Sequence, residues 1–210
     1  MANILVINSS AARDGSASRI LVDHAVDLLL DADPGAAVVR RDLGAAPTPH
    51  LTGETLAGVR GVPATGAERA ARALSDELIA EVRAADTIVI GAPMYNFSIP
   101  TGLRAWFDHV LRAGETFRYS EAGPEGLLGG KRVIVIESRG GLYSEGPGQA
   151  MDFQEPYLRQ LLGFVGITDV TFVRAEKLGF GPEAREQAIA AARAQLERVI
   201  RSEHRQELGG

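Results

Sequence analysis

There is no cysteine anywhere in the 210 residues. That excludes disulfides, thiolate nucleophiles, iron–sulfur clusters and cysteine-based zinc sites, so any redox chemistry must come from a bound cofactor. Histidine is scarce and scattered. His24, His50, His109 and His204 form no spacing such as H-E-x-x-H that would set two ligands on one metal, and no metal site is expected. No stretch is rich in Lys and Arg and the net charge is −5, which argues against a nucleic-acid partner because phosphate neutralisation needs grouped cations. Long apolar runs are missing as well. The run at 4–7 is far below the length of a membrane span and no basic leader precedes it, so a cytoplasmic protein without membrane insertion is expected.

What is present is an alternation of strand and helix signals, the pattern of a doubly wound parallel sheet with helices on both faces. Strands are predicted at 3–8, 37–41, 87–91, 132–137 and 170–174. Helices are predicted at 18–30, 67–83 and 153–164, and another starts at Pro182. Between the third and fourth strands, Leu103, Trp106, Phe107, Val110 and Leu111 fall at i, i+3, i+4, i+7 and i+8, one apolar helix face. Its two aromatics read as core or subunit contacts. The stretch 42–66, rich in Pro, Gly and Thr, is too long for a simple connection and reads as a candidate lid. The segment 114–130 holds an extended piece at 116–120 followed by turn residues. The chain is long enough for one α/β domain, taken as 1–202, with a frayed tail at 203–210.

Three polar loops follow strands one, three and four, and in an open α/β sheet that carboxyl edge is where ligands bind. The first, Ser9 to Ser18, carries serines at 9, 10, 16 and 18 into a helix N-terminus, whose free N–H groups and positive dipole end suit a phosphate. A single serine there reads first as a helix cap, and it is the four serines around one loop that shift the reading toward a phosphate. The loop matches neither G-x-G-x-x-G nor G-x-x-x-x-G-K-[ST], which disfavours a dinucleotide fingerprint and an NTPase. The second loop is Met94-Tyr95-Asn96-Phe97, the third Ser138-Arg139-Gly140-Gly141, whose paired glycines let backbone approach a flat ligand. With the flavodoxin-like strand order 2-1-3-4-5, these loops describe a site for a mononucleotide with one phosphate and one planar ring.

On A-P-M-Y-N-F at 92–97, S-R-G-G at 138–141 and S-S-x-x-x-x-x-S-x-S at 9–18, the chain resembles the FMN-dependent NADH-azoreductases, flavoproteins also active on quinones. The likeness extends to A-L-S-D-E-L-I-A-E, T-F-R-Y and G-P-E-G-L and covers nearly the whole chain. It implies one FMN per subunit, the phosphate held by Ser10, Ser16, Ala17 and Ser18. It places Met94, Tyr95, Asn96 and Phe97 with Ser138, Arg139, Gly140 and Gly141 around the isoalloxazine. It also implies a homodimer with both active sites at the interface. Ala17 departs from relatives that carry a polar residue such as Gln, leaving only its backbone N–H to contribute.

In that reading no side chain is catalytic in its own right, because the cofactor carries hydride from NADH to quinones or azo bonds and the protein supplies placement. The Asn96 amide is a candidate partner for the pyrimidine edge of the ring, and the Gly140 and Gly141 N–H groups for negative charge on the reduced ring. Donor and acceptor sharing one face predicts ping-pong exchange. Phe117, Tyr119 and Phe153 are candidates for an aromatic wall of the substrate pocket. The competing readings are an electron carrier of the same fold without small-molecule turnover, and a phosphoester hydrolase. For the hydrolase neither a metal cluster nor a G-x-S-x-G elbow is found. A phosphoacceptor receiver domain is excluded because strand one ends in Asn8-Ser9-Ser10 and not in acidic residues.

Overall fold

Strand β1 (Asn3–Asn8) buries four consecutive residues, Ile4 to Ile7, which sends alternate side chains into two different cores. Leu5 and Ile7 join one cluster, Ile4 and Val6 the other. The computed structural model describes residues 2–207, with side-chain surroundings described through Arg201. The remaining strands of the sheet are β2 (Ala37–Asp42), β3 (Thr87–Pro93), β6 (Arg132–Ser138) and β7 (Asp169–Ala175). They pair in parallel in the order β2-β1-β3-β6-β7, the predicted order 2-1-3-4-5 once only sheet strands are counted.

Helices cover both faces. On one side α3 (Gly66–Ala84), α4 (Thr101–Val110) and α5 (Glu155–Phe164) pack their apolar faces on Leu5, Ile7, Ile88, Ile90, Val133 and Val135. Trp106 and Phe107 belong to this core. On the other side α1 (Ala17–Ala32) and α6 (Pro182–Glu207) close over Ile4, Val6, Val89, Ile134 and Ile136. The last helix thus extends past the suggested boundary at 202, and positions 208–210 of the suggested tail lie outside the described residues. Among the described residues no helix is long and apolar enough to cross a membrane, and no group of side chains could hold a metal ion.

Two segments differ from the reading of the sequence. Residues 42–66 contain a short helix, α2 (Leu56–Arg60), held down by Arg72, whose guanidinium donates to the carbonyls of Gly58 and Gly61. Gly58 is required there, since a Cβ would lie 2.2 Å from the Glu68 carbonyl oxygen. Beyond α4, the expected extended piece is β4 (Phe117–Ser120), and it pairs antiparallel with β5 (Gly123–Gly126), a strand where turn residues were expected. An Arg118–Glu125 fork at 2.8 and 2.9 Å ties the strands, and Gly126 lies against the backbone of Gly166. Neither contact has a local sequence signal.

Candidate functional site

Asn8, Gly91, Pro93, Ser138 and Ala175 lie at one end of the sheet, because the parallel register brings the strands out together. The loops leaving these ends form the site. After β1 the chain turns into α1 at Ser16, whose hydroxyl lies 3.0 Å from that of Ser10 and 3.1 Å from that of Ser18. All three serines are buried. Ser16 is also the helix cap, but the Arg19 N–H reaches its oxygen only at 3.5 Å, the limit of a hydrogen bond. The first helical bond runs from Ile20 N–H to the Ser16 carbonyl, so the N–H groups of Ala17 and Ser18 have no partner within the helix. Three convergent hydroxyls and a helix N-terminus form a neutral anion cradle.

Arg19 sets the shape of that loop without entering the cradle. Its guanidinium grips both oxygens of Asp42 at 2.7 Å and donates to the carbonyls of Ser10 and Ala12 at 2.8 and 2.9 Å. The Arg19 hydrogen bonds hold the Asp42 carboxyl below its ordinary pKa. Gly44 lets the neighbouring backbone approach, since a Cβ would stand 2.0 Å from the Ser10 carbonyl oxygen.

The loop after β3 faces this cradle. Tyr95 and Ser98 exchange two backbone hydrogen bonds, 2.9 and 3.2 Å, across a tight turn in which Asn96 has φ 48° and Phe97 φ 72°. Asn tolerates the left-handed region, but for a bulky residue it is an outlier that surrounding structure must enforce. The Tyr95 hydroxyl accepts from the Ala11 N–H at 3.1 Å and lies 3.5 Å from the Ser10 hydroxyl, bridging the first and second loops. The Phe97 carbonyl accepts from Phe153 N–H at 3.1 Å, and its ring meets Tyr143 edge-on at 6.1 Å. Met94 N–H donates to the Ser138 carbonyl at 2.8 Å, which joins the second loop to the third.

In the third loop the carbonyls of Arg139, Gly140 and Gly141 accept from the N–H groups of Leu178, Gly179 and Lys177. A Cβ on Gly140 would meet nothing within 4 Å, so its surroundings are open, as a site for a flat ligand requires. A Cβ on Gly141 would press the Tyr143 ring at 3.0 Å.

The structure brings together Ser10, Ser16, Ala17 and Ser18, Met94 to Phe97, and Ser138, Gly140 and Gly141. Phe153, 63 % exposed, joins them through Phe97 and lines a hollow of about 420 Å³ with Ser98, Ile99, Arg104 and Tyr157. Three expectations change. The Arg139 side chain points inward, wholly buried among Glu137, Asp152 and Glu176, and its backbone is paired as well, the N–H with the Ala175 carbonyl and the carbonyl with the Leu178 N–H. Phe117 and Tyr119 lie at the opposite edge of the sheet and cannot join Phe153 in a pocket of the same chain. The physical reason is that α4 runs back toward the amino ends of the strands, where Glu115 meets Arg83 at the end of α3. Phe117 is buried on Phe164 at 4.7 Å, while Tyr119 is 73 % exposed. Sequence reasoning missed Tyr143, the Arg19–Asp42 clamp and the carboxylates around Arg139. Only the last had a visible signal, a Glu at position 137 directly after the apolar run 133–136 of a strand.

A family model described as flavodoxin-like fold matches residues 2–200. The chain is 69 % identical over 202 residues to an FMN-dependent NADH:quinone oxidoreductase of Hyphomonas neptunium, covering 96 % of this chain and 97 % of that one. It is 53 % identical over 200 residues to a protein of the same name from Ralstonia nicotianae, covering 94 % and 96 %. An azoreductase of Bacillus anthracis superposes with a TM-score of 0.87 at 29 % identity, over 95 % of this chain and 99 % of that one. An FMN-dependent NADH-azoreductase of the same species, solved with FMN, gives 0.84 at 26 % identity, over 95 % and 100 %.

Proposed function

This chain belongs to the flavodoxin-like family of FMN-dependent NADH:quinone oxidoreductases and azoreductases, and we propose that it binds FMN and reduces quinones and aromatic azo compounds with NADH. The observation that carries the reading is the gathering of Ser10, Ser16 and Ser18 hydroxyls, 3.0 and 3.1 Å apart, at the start of α1 and opposite the Asn96–Phe97 turn. A single phosphate fits three neutral donors and two free helix N–H groups. A cradle for one phosphate at the start of α1 favours FMN over FAD.

Bound FMN supplies two-electron hydride chemistry, taking hydride from NADH and delivering two electrons to the acceptor. The chain's own part is to bind and orient. The serine hydroxyls and the Ala17 and Ser18 N–H groups hold the phosphate, the Asn96 amide addresses the polar edge of the ring, and the Gly140 and Gly141 N–H groups counter negative charge there. Released cofactor should run as FMN on chromatography and the visible band should bleach on anaerobic NADH. FAD, or a colourless protein that no flavin restores, would overturn the reading. Varying NADH and quinone together should give parallel double-reciprocal lines, since one face serves both in turn. Intersecting lines would remove the shared face.

The working unit is a homodimer in this reading. Phe97, Phe153 and Met151 are exposed beside the hollow of about 420 Å³, and Tyr119 is exposed at the far edge, where a second copy could carry it to a neighbouring site. Sedimentation should give about twice the chain mass, and a fully active monomer would overturn this. A cytoplasmic location belongs to the same reading, since NADH is a reductant of that compartment.

A further inference from the structure

Arg139 is fully buried, yet no step of the reaction needs its charge. Its guanidinium donates to Glu137 Oε2 at 2.7 Å, to Gln154 Oε1 at 3.0 Å and to Glu176 Oε1 at 3.2 Å, and stands 3.0 Å from Asp152 Oδ2. These partners come from four places: the end of β6, the turn before α5, the start of α5 and the segment after β7. Three of them, Gln154, Glu176 and Asp152, support a ring-side element. Gln154, itself fully buried, donates on to the Ala92 carbonyl at 2.8 Å, just before the Met94–Phe97 loop. The Glu176 carboxylate accepts from Tyr143 N–H at 2.8 Å, from Ser144 N–H at 3.0 Å and from the Ser144 hydroxyl, which closes the loop that begins at Gly140. Asp152 Oδ1 accepts from Gln154 and Glu155 N–H at 2.9 and 3.1 Å, which shapes the turn bearing Phe153.

Resting on the FMN reading above, we propose that Arg139 is the positioning residue of the ring end, its fork fixing the Met94–Phe97 loop, the Gly140–Ser144 loop and the Phe153 turn in one arrangement. Buried ion pairs are poor sources of net stability, because desolvation offsets the attraction, so a role as a fold staple alone does not account for the cluster. The ring-side backbone does account for it. Asn96, Phe97 and Lys177 all hold positive φ, a conformation that persists only where neighbours impose it, and all three adjoin segments that Arg139 or its partners tie down. Four carboxyl groups, those of Glu137, Asp152, Glu155 and Glu176, and the Gln154 amide around one planar guanidinium form a geometric lock that an ammonium group cannot copy.

The test uses Arg139→Lys, which keeps the charge and removes the fork, and Glu176→Gln, which alters one partner and leaves the guanidinium. Apoprotein of each, shown folded by its near-ultraviolet circular dichroism at the assay temperature, is titrated with FMN and with riboflavin, and the bound-flavin absorption band is recorded. Arg139→Lys should weaken both flavins by the same factor, about tenfold, and change the band shape, because the ring end is common to both ligands. A folded Arg139→Lys variant with wild-type affinities and band overturns the proposal, and so does a loss confined to FMN. If that variant does not fold, Glu176→Gln decides, with an equal several-fold loss for both flavins expected and no change overturning it. Wild-type apoprotein that takes up neither flavin would overturn the functional reading and this inference together. Wild-type uptake with indifferent variants would remove only the inference.

Discussion

The two ends of the site are made of opposite materials. The phosphate end uses hydroxyls and helix N–H groups, and the cation that grips its loop, Arg19, is already paired with Asp42 and two carbonyls. The ring end rests on a buried cluster of formal charges centred on Arg139. Hydroxyls are donors and acceptors at once, so Ser10, Ser16 and Ser18 satisfy one another until a phosphate arrives. Loops held at positive φ have no such resting arrangement and need rigid partners. A cradle of local groups can be exchanged piece by piece, whereas a lock of buried charges fails as a unit.

The largest effect should come from leaving those charges unpaired. Arg139→Met leaves the Asp152 and Glu176 carboxylates and the Glu137 carboxyl without their shared guanidinium and should cost about 3–5 kcal/mol, a fall in Tm of about 10 °C for a domain of this size. Heat and urea melts of the apoprotein measure it. A midpoint within about 2 °C of wild type would show that the ring end is not held by charge.

The next effect is a pH dependence of the same cluster. Burial pushes the Glu137 carboxyl up from 4.5 to about 8, against the pull of Arg139 and with help from Glu155 and Asp152. Between those values the folded protein keeps a proton that the unfolded chain has released. The unfolded state therefore binds fewer protons and stability falls as pH rises through that window, by a few kcal/mol. Glu176 behaves in the opposite way. Burial opposes its charge, but hydrogen bonds from Ser144 and Tyr143, with Arg139, leave its pKa lowered, and its contribution is lost only below the ordinary carboxylate range. Urea midpoints at pH 5 and pH 8.5 should differ in wild type and converge in Glu137→Gln. Equal slopes in the two proteins would break the assignment.

This contrast also decides what could be read from the chain. The sheet was legible because alternate apolar residues such as Ile4, Leu5, Val6 and Ile7 state both faces locally, and the phosphate loop because its serines lie within a single stretch. The helix predicted at 67–83 begins at Gly66, where Thr65 and Glu68 form a capping box. What escaped was whatever depends on partners far apart in sequence. Arg139 was read as facing the ligand because it lies in S-R-G-G, whereas its side chain answers to Gln154 and Glu176. Phe117 and Tyr119 were grouped with Phe153 on aromatic character, and the backward course of α4 separates them. Tyr143 is visible only once Phe97 is beside it.

A smaller and more selective effect belongs to the phosphate end. A hydroxyl bonded to a phosphate is worth about 1.5–3 kcal/mol, so Ser16→Ala should weaken FMN about tenfold to a hundredfold and leave riboflavin nearly unchanged. The long Arg19–Ser16 contact of 3.5 Å means that little helix stability depends on this side chain as a cap. Equal losses for the two flavins would show that Ser16 acts as a cap and not as a ligand.

The smallest effect tests whether the phosphate end is shaped by charge at one remove. Asp42 does not touch the serine hydroxyls, but it orients Arg19, which in turn pins the Ser10 and Ala12 carbonyls. Asp42→Asn keeps an oxygen for the Gly44 N–H and removes one arm of the fork. The pair is partly exposed, 16 % and 39 %, so solvent screens it and the loss should stay near 0.5–1 kcal/mol, about two- to fivefold in FMN affinity. Because the hydrogen bonds of Arg19 lower the Asp42 pKa, the same loss should appear in wild type as the pH falls through the Asp42 titration. Above the ordinary Asp pKa the pair should be fully formed. Riboflavin, with no phosphate to place, should bind wild type and Asp42→Asn alike. A matching loss for riboflavin would mean that the clamp reaches the ring end through Tyr95, whose hydroxyl rests on the Ala11 N–H, and the two halves of the site would then have to be treated as one unit.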